Sequence, residues 1–247
     1  MLRELAKTAL SRFGLRLERT TRPRANCFER LRHMRSLGFA PRVAFDAGAF
    51  DGDWSLSFHR VFPNAQLFLI EPNPALRARV DAVAQALPDA VSIPAAVGDK
   101  VGSAQLNVWE DESDPVAAQA SSLLAHIRGD PTRATPVEVQ TLDAIATAHR
   151  TMPDVVKLDL QGTELAALHG ASSLLGRSEL FIIEFGCLDA YRDRTTPRQL
   201  FECMDDHGYC LYDVVDLGYR RFDGALCSGD FFFLRRDSAL RDHVGFD

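Results

Sequence analysis

Acidic residues recur where apolar, strand-length runs of this chain come to an end. Asp46 lies within Val43–Ala47, Glu71 follows Gln66–Ile70, and Asp99 follows residues 91–97. Asp159 lies within residues 154–160 and Glu184 within residues 180–185. In an open parallel sheet, ligands bind beyond the carboxyl ends of the strands, so these positions are where a site is expected. The run Asp46-Ala47-Gly48-Ala49-Phe50-Asp51-Gly52 reads as a strand-to-helix turn. Gly48 there would admit a ligand close to the backbone, and Gly52 would start the next helix tightly against the sheet. Glu71 stands where a carboxylate accepts hydrogen bonds from ribose hydroxyls. Together the turn and the acid point to an adenosine-containing cofactor; the competing interpretation is a structural glycine turn beside a solvent-facing acid.

Two cofactor classes compete for such a site. A dinucleotide needs G-x-G-x-x-G, which sets a helix N-terminus against its pyrophosphate. Here only Gly48 and Gly52 are present, and Asp46 and Asp51 would repel phosphate. S-adenosyl-L-methionine carries no phosphate, and its ammonium and sulfonium charges favour carboxylates. The acidic rim argues for the sulfonium cofactor over NAD.

These residues have to be held by a sheet, and the pattern supplies one. From residue 42 apolar strands alternate with helices: strands at Val43–Ala47, Gln66–Ile70, 91–97, 137–140, 154–160 and 180–185, then a closing pair at 209–215 and 230–235. Helices are expected to about Val61, from Pro74 to about Leu87, from Asp143 to about His149, over 164–175 and over 197–207. Such alternation means an α/β fold, a mostly parallel sheet covered on both faces. Residues 100–135 are less regular and read as a strand followed by a loop, the place where substrate contacts are expected.

The chain divides into a basic helical extension, 1–41, and one domain, 42–247. Residues 1–42 carry a net charge of +8 and the remainder −14, within a total of −6 over 247 residues. Leu2, Leu5, Ala6, Ala9, Leu10 and Phe13 form one helical stripe that would dock on the protein itself, on a second subunit or on an anionic membrane. A second helix is expected at 26–37, with Phe28, Leu31, Met34 and Leu37 inward. A globally acidic chain lacks the positive field that draws nucleic acid, and no apolar run is long enough to span a bilayer. Five sparse cysteines without a Cys-x-x-Cys pair argue against a disulfide framework, and the absence of a secretory leader fits a reducing cytoplasm. Cys203, His207 and Cys210 have a loose metal-like spacing but read as two buried thiols and a helix-end histidine.

Three blocks then resemble the signature of the FkbM family of S-adenosylmethionine-dependent O-methyltransferases. They are Val43 through Gly52, Glu71-Pro72-Asn73-Pro74, and Val156-Lys157-Leu158-Asp159-Leu160-Gln161-Gly162-Thr163-Glu164. Ala95 through Asp99, Ser121-Ser122-Leu123, Gln140 through Asp143 and Ile182-Ile183-Glu184 fit between and after them. Phe50, where the family usually has Asn, and Gln161, where Glu is commoner, depart from the pattern. The resemblance implies the class I, Rossmann-like seven-stranded sheet with its last strand antiparallel, and methyl transfer to a hydroxyl of a saccharide, glycoconjugate or polyketide-like molecule. It implies that Asp46, Gly48 and the backbone of Ala49, Phe50, Asp51 and Gly52 hold the methionine end. Glu71 would bind ribose, Pro72 and Asn73 would wall the adenine, and Gly98 and Asp99 would lie at its base edge, with Ser122 nearby.

An alcohol is a poor nucleophile until its proton is removed, so a base or a metal is expected at the methyl position. Asp159 or Glu184 would serve as base, with Lys157 tuning it and Glu164 opening the next helix. The alternative is an ion pair of Lys157 with Asp159 or Glu184 that merely locks the strand ends. No metal is assigned, and His59, His126 and His169 are further candidate bases. A homo-oligomer, peripheral membrane association and a catalytically idle interaction module docking through the basic helix stay open as alternatives.

Overall fold

A computed structural model describes residues 26–109, 121–125, 127 and 132–243. The expected helix at 2–13 and His126 lie outside the described residues. The first described helix is α1, Cys27–Ser36, begun by Asn26, whose Oδ1 accepts the Glu29 N–H. It buries Leu31 and Met34 fully, while Leu37, expected inward, is 55% exposed. Leu37 is the C-cap residue, turned off the helix face that Met34 still follows.

The chain then alternates: β1 Val43–Ala47, α2 Asp53–Val61, β2 Gln66–Ile70, a 3-10 turn into α3 Arg77–Ala86, and β3 Val91–Ile93. After these come β4 Ala96–Val97, β5 Gly102–Trp109, β6 Thr132–Gln140 and α4 Leu142–Ala148. The last part is β7 Val155–Leu158, α5 Glu164–His169, β8 Leu180–Gly186, α6 Pro197–Asp206, β9 Tyr209–Tyr219 and β10 Leu226–Arg235. Seven strands form one sheet in the order β3-β2-β1-β7-β8-β10-β9. All neighbours are parallel except β10, which runs against both β8 and β9. The last strand is thus antiparallel, as the resemblance implies, and the fold is a class I, Rossmann-like α/β sheet. Its strand order reverses between β1 and β7, the switch point where such sheets bind ligands.

Each face carries its own core. On one side α1, α2 and α3 bury Leu31, Met34, Phe58, Val61 and Val80 against Ala44, Val155, Ile182 and Phe232. On the other, α4, α5 and α6 bury Ile145, Leu168 and Met204 against Phe45, Val156, Phe181 and Phe233. Strands buried on both faces are apolar at nearly every position, which is why β1, β2, β7 and β8 were legible as runs rather than alternations.

Four expectations about the elements are corrected. Residues 91–97 are two strands, because Pro94 has no N–H with which to continue a ladder. β3 stays with β2, and β4 leaves to pair with β6. That creates a three-stranded sheet, β4-β6-β5, in which the strand expected at 137–140 begins at Thr132. The helix expected over 164–175 is α-helical only to His169, with Gly170 as its C-cap. The closing hairpin extends to Tyr219 and from Leu226, with register shifts that bend it. Among the described residues, no helix is long and apolar enough to cross a membrane.

Candidate active site

Register alone arranges the charged groups. Asp46 of β1 pairs with Lys157 of β7, and Lys157 with Ile182 of β8. Phe232 of β10 faces Ile182, and Asp230 faces Glu184. Side chains alternate along a strand, so one sheet face carries two successive rungs. The first is Asp46–Lys157; the second, at the carboxyl ends of the parallel strands, is Asp159, Glu184 and Asp230.

The first rung is closed on itself. Asp46 is fully buried, with Oδ2 accepting the Ser55 hydroxyl at 2.7 Å and Oδ1 at 3.3 Å from Lys157 Nζ. The ammonium also lies 3.3 Å from Asp159 Oδ2 and 3.3 Å from the Gly48 carbonyl, with the Trp54 ring 5.7 Å away. Burial favours the neutral amine, but Asp46 and Asp159 hold Lys157 above the ordinary lysine range. Lys157 therefore pairs with Asp46 and Asp159; the alternative Lys157–Glu184 pair is not formed.

Gln161 ties the second rung together. Its amide nitrogen donates to Asp159 Oδ1 at 3.0 Å and to Glu184 Oε2 at 2.9 Å, while its oxygen accepts from Tyr191 at 3.1 Å. Burial raises Asp159, yet Lys157 outweighs it and keeps the carboxylate below its ordinary range. Burial and the charge of Asp159 push Glu184 well above the ordinary glutamate range. Glu164 is 3% exposed and accepts the Leu160 and Gly162 N–H groups through Oε1. Burial moves it up to about 7.

The cofactor turn is built just as tightly. A Cβ on Gly48 would stand 1.9 Å from the Asp159 carbonyl oxygen, and Gly48 has φ +79°. The close approach at Gly48 is thus made first of all by the chain's own backbone. Glu71 Oε2 accepts the Phe50 N–H at 2.9 Å and Oε1 the Asn73 N–H at 2.8 Å. Each oxygen keeps a lone pair for a further donor. Burial, opposed by those two bonds, brings Glu71 up to about 7.

A cavity of about 330 Å³ runs between these groups. It brings together ten of the expected residues: Gly48, Ala49, Phe50, Asp51, Glu71, Pro72, Ser122, Lys157, Asp159 and Glu184. Six do not line it. Asp46 and Glu164 are committed to the contacts above. Gly52 is the N-cap of α2. Asn73 turns its Oδ1 to the Ala75 N–H at 3.0 Å. Gly98 and Asp99 lie past the rim, where Gly98 bonds to Gln140 and the Asp99 side chain is 54% exposed near Lys100. Ala95, Ala96 and Val97, just before them, line the cavity. Among the other candidates, His59 and His169 also do not line the cavity. His207 Nδ1 donates to the Cys203 carbonyl at 2.7 Å and Cys210 leans on the Leu234 carbonyl; the two thiols, expected buried, are only partly so.

Several lining residues were missed: Trp54, Leu106, Leu123 and Asp230. Trp54 is one residue into a helix and carried no local signal. Leu106 and Leu123 arrive through the second sheet, where Asn107 and Ser122 bridge, and the Ser122 hydroxyl donates to the Gln161 carbonyl at 2.8 Å. Asp230 lies mid-way along β10, a strand expected only from residue 230 onward and read as the end of the fold.

The model of the FkbM methyltransferase domain matches residues 46–211, well over half of the chain, and the chain belongs to that family. It is an S-adenosylmethionine-dependent methyltransferase, and the cavity suits that cofactor. Glu71 keeps lone pairs for hydroxyl donors beside an apolar wall of Ile70, Val97 and Leu106, and carboxylates stand at the opposite end, where a cation is favoured. No curated protein matches the chain. Solved structures similar to it include magnesium protoporphyrin IX methyltransferase from Synechocystis with bound S-adenosylmethionine, 12% identical, covering 95% of this chain and 81% of that one, TM-score 0.49. Another is precorrin-6y C5,15-methyltransferase from Geobacter metallireducens, 13% identical, covering 84% and 88%, TM-score 0.45. A third is the Burkholderia thailandensis 1,6-didemethyltoxoflavin-N1-methyltransferase, 14% identical, covering 85% and 78%, TM-score 0.45.

Proposed function

We propose that this chain transfers the methyl group to a hydroxyl of a saccharide, glycoconjugate or polyketide-like acceptor. The observation that supports it is the second rung: carboxyl groups gathered at the sheet's switch point, beside a cavity whose other end suits adenosine. Bound S-adenosylmethionine supplies an electrophilic methyl. Glu71 orients the ribose, the backbone of residues 49–52 meets the methionine end, and Pro72, Val97, Leu106 and Leu123 enclose the base. Asp159 and Glu184 line the acceptor end, where their oxygens orient a hydroxyl along the line of displacement. Lys157 and Glu164 act through them: Lys157 keeps Asp159 ionised, and Glu164 fixes the turn that follows it.

The first test is calorimetric titration of S-adenosylhomocysteine and, separately, NAD into the purified protein. Micromolar binding of the former alone supports the cofactor placement, and binding of NAD in its stead refutes it. Labelled S-adenosylmethionine is then offered with a panel of hydroxyl acceptors: simple glycosides, oligosaccharides and polyketide lactones. Label recovered as a methyl ether supports the O-methyl reading. Transfer confined to amines or thiols overturns it.

A further inference from the structure

We propose that Asp230 is the group that receives the acceptor's proton. The inference rests on the O-methyl reading and names the base that reading requires. A general base has to be ionised, within reach of the reacting hydroxyl and not already spent on neighbouring donors. The carboxylates at this end of the sheet meet those demands unequally. Asp46 is closed off by Ser55 and Lys157. Asp159 is paired with Lys157 and Gln161, which makes it a weak base. Glu184 already accepts the Gln161 amide at 2.9 Å.

Asp230 differs from all of these. Its carboxyl lines the cavity, directly across the strand pair from Glu184, yet makes no hydrogen bond or ion pair among the described residues. The groups facing it are Glu184 from β8, Asp159 and Lys157 from the β7 end, Asp216 from β9 and Cys27 from α1. The thiol of Cys27 is pushed up by burial and stays protonated. Burial first, then the charge of Asp159, bring Asp230 up to about 7, where a carboxylate is a much better base than in water. Asp230 also lies beyond residues 46–211, the part matched to the family.

The step balances without another reactant. The acceptor oxygen bonds to the methyl carbon, the carbon–sulfur bond breaks with its electron pair left on sulfur, and the hydroxyl proton passes to the Asp230 carboxylate. Gln161 and Lys157 hold the neighbouring acids still while this happens.

Asp230→Asn, Asp230→Glu and the unsubstituted protein are compared by S-adenosylhomocysteine calorimetry and by methyl transfer to the hydroxyl panel between pH 5.5 and 8.5. The expected result is cofactor affinity within threefold in all three, and kcat lowered at least about 100-fold in Asp230→Asn with KM little changed. The unsubstituted enzyme's rate should rise with pH to a plateau above about 7. Asp230→Asn should lose that inflection and Asp230→Glu should recover part of the rate. An Asp230→Asn enzyme with undiminished kcat and the same pH profile overturns the assignment while the O-methyl reading stands. If the unsubstituted protein binds S-adenosylhomocysteine but methylates no hydroxyl of the panel, the O-methyl reading itself falls, and the assignment of Asp230 falls with it.

Discussion

The two ends of the cavity use the same residue types in opposite ways. At the Glu71 end the carboxylate is spent on the backbone: it holds the N–H groups of Phe50 and Asn73 and thereby fixes the turn. At the Asp230 end a carboxyl is left unengaged beside two that are tied down by Lys157 and Gln161. The first arrangement favours recognition, because a fixed acceptor costs no reorganisation when a donor arrives. The second favours proton transfer, since an unpaired buried carboxyl is costly to ionise and therefore basic.

Lys157→Met should break the comparison outright. It leaves Asp46 and Asp159 buried without their cation, a loss of about 3–5 kcal/mol by analogy with other broken buried pairs. Chemical denaturation should show it, and unchanged stability would mean that the first rung is better solvated than its burial suggests. Gly48→Ala comes next. The added carbon meets backbone, not a flexible side chain, and φ +79° is already unfavourable for alanine. A loss of about 3 kcal/mol is expected, together with loss of S-adenosylhomocysteine binding.

Glu71→Gln isolates the recognition end. Losing a charged acceptor of about 1.5–3 kcal/mol should weaken S-adenosylhomocysteine roughly tenfold to a hundredfold in calorimetry, with melting changed less than by Lys157→Met. A wild-type affinity in this variant would remove Glu71 from the proposed ribose contact.

Acidity gives a gentler probe of both ends at once. Glu71, Glu164 and Asp230 each rise from ordinary values of 4.5, 4.5 and 3.8 to about 7 in the fold. Between those limits the folded state binds more protons than the unfolded one. Stability of the ligand-free protein should therefore fall as pH rises from about 5 to 7, by roughly 1–2 kcal/mol in total after allowance for solvent near the cavity. A melting temperature that climbs over this interval would contradict the sign. The smallest effect belongs to Asp99→Asn, which should change S-adenosylhomocysteine affinity less than twofold, because that carboxylate is exposed and away from the cavity.

The difference between the two ends also explains what could be read in advance. The recognition end is local: Gly48, Phe50 and Glu71 belong to two turns that directly follow apolar strands, and strand periodicity placed them. The cluster Lys157, Asp159 and Glu184 was legible for the same reason, one residue set per strand end. What escaped were contacts between segments far apart in the chain. Pro94 was visible, yet nothing local said that β4 would desert the large sheet for β6 and carry Leu106 and Leu123 to the cavity wall. Asp230 was hidden because β10 runs backwards and begins earlier than its apolar run: Asp230 lies mid-strand, opposite Glu184, and not at a carboxyl end where the other acids stand.

That reversal has a consequence for how such a protein diversifies. The cofactor turns come from the first half of the sheet, while Asp230 is delivered by a hairpin whose tip lies between Tyr219 and Leu226 and whose strands contact the rest of the sheet only through β8. Exchange of residues 209–235 between related chains would replace Asp230 as one cassette and leave Gly48 and Glu71 in place. Asp159 and Glu184 would stay with β7 and β8, and the incoming hairpin would have to refill both cores at Tyr209, Val215, Phe232 and Phe233.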